Sequence, residues 1–416
     1  MTRATAAPVV PAAPVEPAAP VTPPLLIRDV RIVDGRGVLA RRADVRIADG
    51  RIREIGRGLT LRSGDHEWQA AGLTVVPGLM NAHVHITMDG SADPAEGLLG
   101  GSGNAVILEA ARARLAATLR AGVTTVRDLG APDGLAIQLG REIEAGVTGG
   151  PRIVAAGQPI CIPGGHGHTF MSVQVTGPAA AAAATRQQIA AGARVIKVMA
   201  TGGMMTPGQV AGAPQLSLEE MRAVVDVAAA AGIPVAAHSE GIAGTLDAIA
   251  AGVSSIEHGH GLDQRAIEAM LASDVALVPT LLSDEVILRH GVAGGIPAFV
   301  VEACERLAAS LLPGFEAAVR QGVQIVAGND GGAPLVDPGD MVTELELYIR
   351  HGMTPQAALH SATAAAAHLL DVRDTGLVAV GQVADLLVVD GDPLVDIGAL
   401  RGPRLVIAAG AIAHEA

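Results

Sequence analysis

The hydrophobic and polar positions change rhythm twice along this chain. From residue 25, apolar and polar residues alternate in the short runs "LLIRDVRIVDG", "ADVRIADGRIREIG" and "HEWQAAGLTVVPG". Asp-Gly steps punctuate them like hairpin turns. The same texture returns at the far end in "GLVAVGQVADLLVVDGDP" and "PRLVIAAGAIA". Between the two, short β-rich runs alternate with Ala-rich stretches of helical character. The β-rich runs are "LMNAHVHI", "VTTVRDLG", "RIVAAGQ", "RVIKVMATGG", "PVAAHSEG", "SSIEHGHG", "VALVPTLL" and "VQIVAGNDGG". Helix-like segments between them include "AVILEAARARLAATLRAG", "AAAAATRQQIAAGA", "LSLEEMRAVVDVAAAAG" and "IAGTLDAIAAG".

Eight β units alternating with helices predict an α/β chain folded as a parallel (β/α)8, or TIM, barrel. A doubly wound open sheet is the rival, but it does not usually carry polar residues at so many strand ends. The flanking segments predict one small β-sandwich formed by both chain ends. The expected bounds are 25–76 and 371–416 for the two parts of the sandwich, with the barrel over 77–370. Residues 1–24 are Pro/Ala-rich and predict an extended, disordered tail. Proline breaks that stretch every few residues, so it reads as neither a signal peptide nor a membrane span.

Composition sharpens this picture. Half of the 416 residues are hydrophobic, enough for a barrel-sized core, yet aromatics make up only 1%. Ala, Val, Leu and Ile must therefore fill the interior. A formal charge of −13 argues against nucleic acid or an anionic membrane as the main partner. No later apolar stretch is long enough to cross a bilayer, so a soluble protein is expected. Cys161 and Cys304 are the two cysteines. They make no metal-type cluster and fit a reducing, cytoplasmic setting, while leaving a disulfide between them open.

The chemistry lies where a barrel of this kind places its active site, at the C-terminal ends of the strands. Those ends carry His83 and His85 in "NAHVHI", Lys197 in "IKVMATGG", His238 in "AAHSEG", His258 in "IEHGHG" and Asp330 in "AGNDGG". His83 and His85, two apart, project to one face of a strand. Taken singly, each residue has a plain reading. A lone strand histidine is more often a hydrogen-bonded core residue, and an Asp before Gly-Gly is usually a turn residue. Their recurrence at successive strand ends points to a site for divalent metal.

Lys197 is the residue that demands explanation. Val195, Ile196, Val198 and Met199 surround it, and an unpaired ammonium loses its hydration on burial. Burial favours the neutral, nucleophilic amine. Such an amine can take up carbon dioxide and become a carbamate that bridges two metal ions. A Schiff-base lysine and a structural ion pair are the alternatives, and the neighbouring histidines favour the carbamate.

These residues resemble the amidohydrolase superfamily of metal-dependent hydrolases. "VVPGLMNAHVHI" is similar to its opening signature of Pro-Gly-Leu followed by His-x-His. The set His83, His85, Lys197, His238, His258 and Asp330 resembles its binuclear subtype with a carboxylated lysine. The resemblance implies two divalent ions, zinc by default. His83, His85 and Asp330 would hold one ion, His238 and His258 the other, with modified Lys197 and a hydroxide bridging them. Asp330 would act as the general acid–base. "IKVMATGGMM", "SSIEHGHG", "LVPTL" and "MTPQAALHSATAAAAHLL" are similar to the imidazolonepropionase-related branch. That branch includes Xaa-Pro and other dipeptidases and ochratoxin-hydrolysing amidases.

The implied activity is hydrolysis of the amide bond in a small molecule, a dipeptide or an N-acyl amino acid. A cyclic-amide or lactone hydrolase is the enzymatic rival, and a non-catalytic scaffold is the rival from another class. A homo-oligomer is expected by analogy alone. Imidazolonepropionase itself resembles a one-metal enzyme without the strand-4 lysine, so Lys197 argues against that activity. Asn329 stands where the branch often has Thr before the last ligand, which puts the hydrogen bonding of Asp330 in question. "CIPGGHGHTF" resembles a loop lining the substrate pocket, making His166 and His168 substrate-binding candidates, with mobile surface histidines as the alternative. His260 reads as supporting or incidental. Glu240 reads as a hydrogen-bond partner of a ligand imidazole, a substrate-selecting group or a solvated loop residue. Arg127 and Asp128 read as an ion pair bracing the barrel rim.

Overall fold

The computed structural model describes residues 23–101 and 103–416. Most of the expected N-terminal tail lies outside the described residues. The alternating segments at the two chain ends do meet. One eight-stranded sheet runs in the order Ala411–Glu415, Leu405–Ala408, Leu386–Asp390, Leu73–Pro77, Leu25–Asp34, Gly37–Ala48, Arg51–Gly56, with His66–Gln69 pairing beside Leu25–Asp34. The seam between the ends is antiparallel, from Leu386 opposite Pro77 to Asp390 opposite Leu73. Asp49 (φ 51°) and Gly50 (φ 71°) make the tight turn between Gly37–Ala48 and Arg51–Gly56. Two successive positive φ values are the backbone this turn demands, and Asp-Gly supplies them cheaply. The core of this β-rich unit draws on both ends, with Ile27, Ile32, Val45 and Val75 packed with Leu386, Val388 and Leu405.

The central segment forms parallel strands, each followed by helix. Leu79–Val84, Val123–Asp128 and Arg152–Ala155 make one three-stranded sheet. Ile196–Met199, Val235–Ser239, Ser255–His258 and Ala276–Val278 form the body of a six-stranded one. The ladder is therefore not one continuous eight-stranded sheet among the described residues. The eighth β-like run, 323–332, touches its neighbours through isolated parallel bridges, Leu277–Ile325 and Val84–Gly331. Its polar end explains why it forms no regular strand: Asn329 binds loop carbonyls and Asp330 takes φ 58°.

Both faces of these strands are buried, so they read as unbroken apolar runs rather than as an alternating pattern. Within "VIKVM", Ile196 and Val198 pack into the large core shared with the helices, while Val195 joins an inner cluster with Ala82, Ala236 and Ala276. Alternation then puts Lys197 and Met199 on the inner side with Val195. Small alanines there leave room for larger side chains at the strand ends. No helix among the described residues is long and apolar enough to cross a membrane. Cys161 and Cys304 are both free and buried, which closes the question of a disulfide between them.

Candidate active site

The polar residues at the strand ends converge. In the parallel register Met199 lies opposite His238 and Ser239 opposite His258, so Lys197, His238 and His258 step around the same rim. Ring centroids of His83 and His258 are 4.9 Å apart, those of His238 and His258 4.7 Å, and those of His83 and His85 5.4 Å. Asp330 reaches in from the 323–332 run, its Oδ1 lying 3.4 Å from His83 Nε2 and 3.6 Å from His85 Nε2. Ligand-type atoms of His83, His258 and Asp330 lie within 4.8 Å of one another, as do those of His238, Glu240 and His258.

Backbone strain helps to aim them. His258 (φ 67°), Thr280 (φ 49°) and Asp330 (φ 58°) all occupy the left-handed region, and for a β-branched threonine this is a true outlier. Such conformations persist where the surroundings enforce them, and they cluster at functional sites. Thr280 Oγ1 lies 2.8 Å from His258 Nδ1. Just beyond, the helix Leu281–His290 begins, and the backbone N–H groups of Leu281 and Leu282 donate to Glu344 at 2.8 and 2.7 Å. Buried Glu344 thereby anchors the turn that holds the imidazole.

The outer nitrogens of three imidazoles are fixed. His83 Nδ1 meets Glu257 Oε2 at 2.9 Å, His85 Nδ1 meets the Gly130 carbonyl at 3.0 Å, and His258 Nδ1 meets Thr280. Their Nε2 atoms are left facing inward, the arrangement expected of metal-binding histidines. Asp330 Oδ1, His238 Nε2 and Glu240 Oε2 are buried without a hydrogen-bond partner among the described residues. Buried polar atoms are otherwise nearly always satisfied. The donor set therefore fits divalent cations well.

Burial controls the protonation of the site. It drives His83, His238 and His258 well below the ordinary histidine range, with the positive charge of Lys197 adding to the effect. Neutral imidazoles are the form that binds metal. Desolvation lowers Lys197 to about 8, and raises Asp330 to about 6. Lys197 is 1% exposed, and its Nζ has one polar side-chain contact, His83 Nε2 at 3.5 Å. The ion-pair alternative thus finds no carboxylate partner for this lysine among the described residues.

Glu257 is the residue that sequence reasoning passed over. Its other oxygen, Oε1, accepts from Arg127 at 2.8 Å and from Ser255 Oγ at 2.5 Å. The expected Arg127–Asp128 pair does not form. Arg127 is wholly buried and bridges the Ala82 carbonyl, Ser255 and Glu257. Asp128 instead accepts the N–H groups of Ile86 and Gly130, which frame His85. Asn329 does not touch the carboxyl group of Asp330. It accepts from Asn81 at 2.6 Å and donates to the Asp337 carbonyl at 2.8 Å, tying the last β run to the first strand.

A narrow pocket opens in front of these groups. His166 lines it, with its ring stacked 4.5 Å from that of His238 and Nδ1 3.0 Å from Thr206 Oγ1. Gly203 explains part of "ATGG", because a Cβ there would collide with the His166 ring. His168 does not line the pocket. It is half-buried, and its Nδ1 meets the Gly165 carbonyl at 2.9 Å. Five methionines, Met88, Met171, Met199, Met204 and Met205, supply most of the apolar wall. Met199, Met204 and Met205 belong to "IKVMATGGMM", whereas Met88 and Met171 come from separate loops.

Known proteins resemble this chain closely. The model of the Amidohydrolase family matches residues 74–412. An ochratoxinase of Aspergillus niger is 31% identical over 365 residues, which is 80% of this chain and 73% of that protein. The crystal structure of a Xaa-Pro dipeptidase, with methionine bound in its active site, superposes with a TM-score of 0.86 at 30% identity. That match covers 94% of this chain and 100% of the other. The A. niger ochratoxinase structure gives a TM-score of 0.80 at 26% identity, covering 94% of this chain and 96% of the other.

Proposed function

We propose, from the premise that this chain belongs to the amidohydrolase family and is a metal-dependent hydrolase of amide carbon–nitrogen bonds, that it cleaves the peptide-like amide of a dipeptide or an N-acyl amino acid. The likeness to a Xaa-Pro dipeptidase and to an ochratoxinase favours amides of that size. On this reading the parallel strands make up one (β/α)8 barrel with the site at its C-terminal rim. His83, His85 and Asp330 would hold one divalent cation, and His238 and His258 would hold the second. Zinc is the default for so many imidazoles.

The observation that carries the proposal is Lys197, buried among histidines with no carboxylate at ion-pair distance among the described residues. Its amine, held near 8, is substantially neutral at mildly alkaline pH. Attack of that amine on carbon dioxide forms an N–C bond and releases a proton, turning a cation into an anion with two donor oxygens. The desolvation cost of a buried ammonium disappears with it.

When bound, the cations supply a water of lowered pKa and polarise the scissile carbonyl. Asp330 takes the proton of the attacking water and delivers it to the leaving amine. Burial keeps this carboxyl near 6, close enough to neutrality both to accept and to release a proton. Glu257 and Thr280 keep the imidazoles of His83 and His258 oriented throughout. His166 forms the wall beside His238, and substrate packs against it.

Hydrolysis of a dipeptide panel that includes Xaa-Pro, together with an ochratoxin-type amide, tests the proposal. The metal-loaded protein should release amino acid from at least one linear amide and lose that activity on chelation. Turnover confined to cyclic amides or lactones would contradict it.

A further inference from the structure

We infer that Glu240 is itself a metal ligand, the third unmodified side chain, after His238 and His258, on the second of the two cation positions. The inference rests on the two-cation reading of the site and adds a carboxylate that the family resemblance does not assign. Geometry supplies the first observation. Glu240 Oε1 lies 3.6 Å from His238 Nε2, too far for a hydrogen bond. Two donor atoms that share one ion, with bonds of about 2.0–2.2 Å at a tetrahedral angle, stand about 3.3–3.6 Å apart. His85 Nε2 and Asp330 Oδ1, placed on the other cation, have the same 3.6 Å spacing. Ligand-type atoms of His238, Glu240 and His258 all fall within 4.8 Å of one another.

A second observation is independent of the first. Glu240 is 5% exposed, so it is not a solvated loop residue. Its Oε2 and the Nε2 of His238 are both buried without a hydrogen-bond partner among the described residues. Two orphaned polar atoms on adjoining side chains are costly, and one cation would satisfy both. Charge points the same way. Two divalent ions bring four positive charges into a buried site, against which Asp330 and the Lys197 carbamate supply two negative ones. Glu240 supplies a third, and buried charge is costly until it is balanced. While no ion is present, burial raises this carboxyl to about 8. A bound cation displaces the proton, as it does from any acidic ligand.

The backbone is built to hold this side chain in place. Glu240 directly follows the strand Val235–Ser239, and its offset of two from His238 sends both toward the same side. His83 and His85 share that offset on the first strand. The Glu240 N–H donates to Thr201 Oγ1 at 2.9 Å, just beyond the strand that carries Lys197. The loop that follows Thr201 then presses against Glu240 and Gly241. A Cβ on Gly212 would collide with the Glu240 carbonyl, and one on Gly241 would collide with Gly212. Glycine at both positions lets the two backbones approach this closely.

Zinc binding to the unaltered protein and to Glu240→Gln, measured in bicarbonate buffer by competition with a chelator, tests the inference without reference to hydrolysis. The substitution keeps the size of the side chain and removes its charge. One of the two equivalents should bind at least about tenfold more weakly in the variant, the lower bound for residues that merely orient a ligand. The other should change less. Cobalt-loaded protein gives a second readout, because losing a carboxylate ligand shifts the ligand-field absorption of one ion, which a role in substrate selection alone would not do. Urea unfolding of the two chelated proteins, expected to coincide, separates loss of a ligand from loss of fold. Two ions held equally tightly by Glu240→Gln, with unchanged cobalt bands, would overturn the ligand role and leave the amidohydrolase reading intact. A single ion in the unaltered protein would instead contradict the two-cation reading, and this ligand with it.

Discussion

Lys197 Nζ lies 3.5 Å from His83 Nε2, although the two residues are 114 positions apart in sequence. A basic amine and an imidazole have no reason to be buried together in a metal-free, unmodified protein, because neither neutralises the other. Their proximity makes sense if Lys197 becomes an anion and both then face a cation. The consequences can be measured.

Replacing Lys197 with methionine removes the proposed bridging ligand and also a poorly solvated ammonium. Activity should fall by at least about a thousandfold. Burial lowers this lysine from 10.5 to about 8, so stripping out the charge should stabilise the metal-free protein by up to about 3 kcal/mol. Denaturant unfolding of the chelated proteins checks this. A Lys197→Met variant less stable than the parent would mean that the ammonium has a partner in the folded state.

The pH dependence has a definite sign. A lysine whose folded pKa is lowered is penalised as an ammonium below about 8, and the penalty is relieved as pH rises from there toward 10.5. Only the neutral amine takes up carbon dioxide. Reactivation of chelated enzyme by metal and bicarbonate should therefore quicken from pH 7 to pH 9 and then level off. A rate independent of bicarbonate would contradict the prediction.

Glu257 links the imidazole of His83 to the buried guanidinium of Arg127. Glu257→Gln weakens the acceptor at His83 Nδ1 and leaves Arg127 without its carboxylate at 2.8 Å. Metal affinity should drop about 10- to 100-fold, and stability should fall by about 3–5 kcal/mol. Competition with a metal chelator and urea unfolding measure the two effects separately.

Glu344 accepts two backbone N–H groups at the start of the helix Leu281–His290. Glu344→Ala orphans both donors, at a cost of about 2–4 kcal/mol. The loosened turn carries Thr280, so metal binding through His258 should weaken as well. A variant with lower thermal stability and unaltered metal affinity would show that the turn holds its shape without this carboxylate.

Much of this site is legible in the sequence because each βα unit delivers its last strand residues to one rim. His83, His85, Lys197, His238, His258 and Asp330 can all be found by asking what sits at that end. Glu257 escapes the same reading because simple alternation sets it on the face opposite its neighbour His258. The left-handed backbone at His258 breaks that alternation and lets both side chains serve the centre. Arg127 beside Asp128 suggests a local ion pair, but the true partner of Arg127 lies 130 residues away. Glu344, Met88 and Met171 come from separate segments whose meeting depends on tertiary packing, which no local pattern encodes. The run 323–332 looks like a strand by composition, yet its polar end is bound by loops and completes no regular ladder.

Metal content per chain, measured after loading in the presence of bicarbonate, tests the carbamate most directly. Two equivalents in the unaltered protein and no more than one in Lys197→Ala are the result predicted here. Two equivalents retained by Lys197→Ala, or a single one in the unaltered protein, would contradict a bridging role for this lysine.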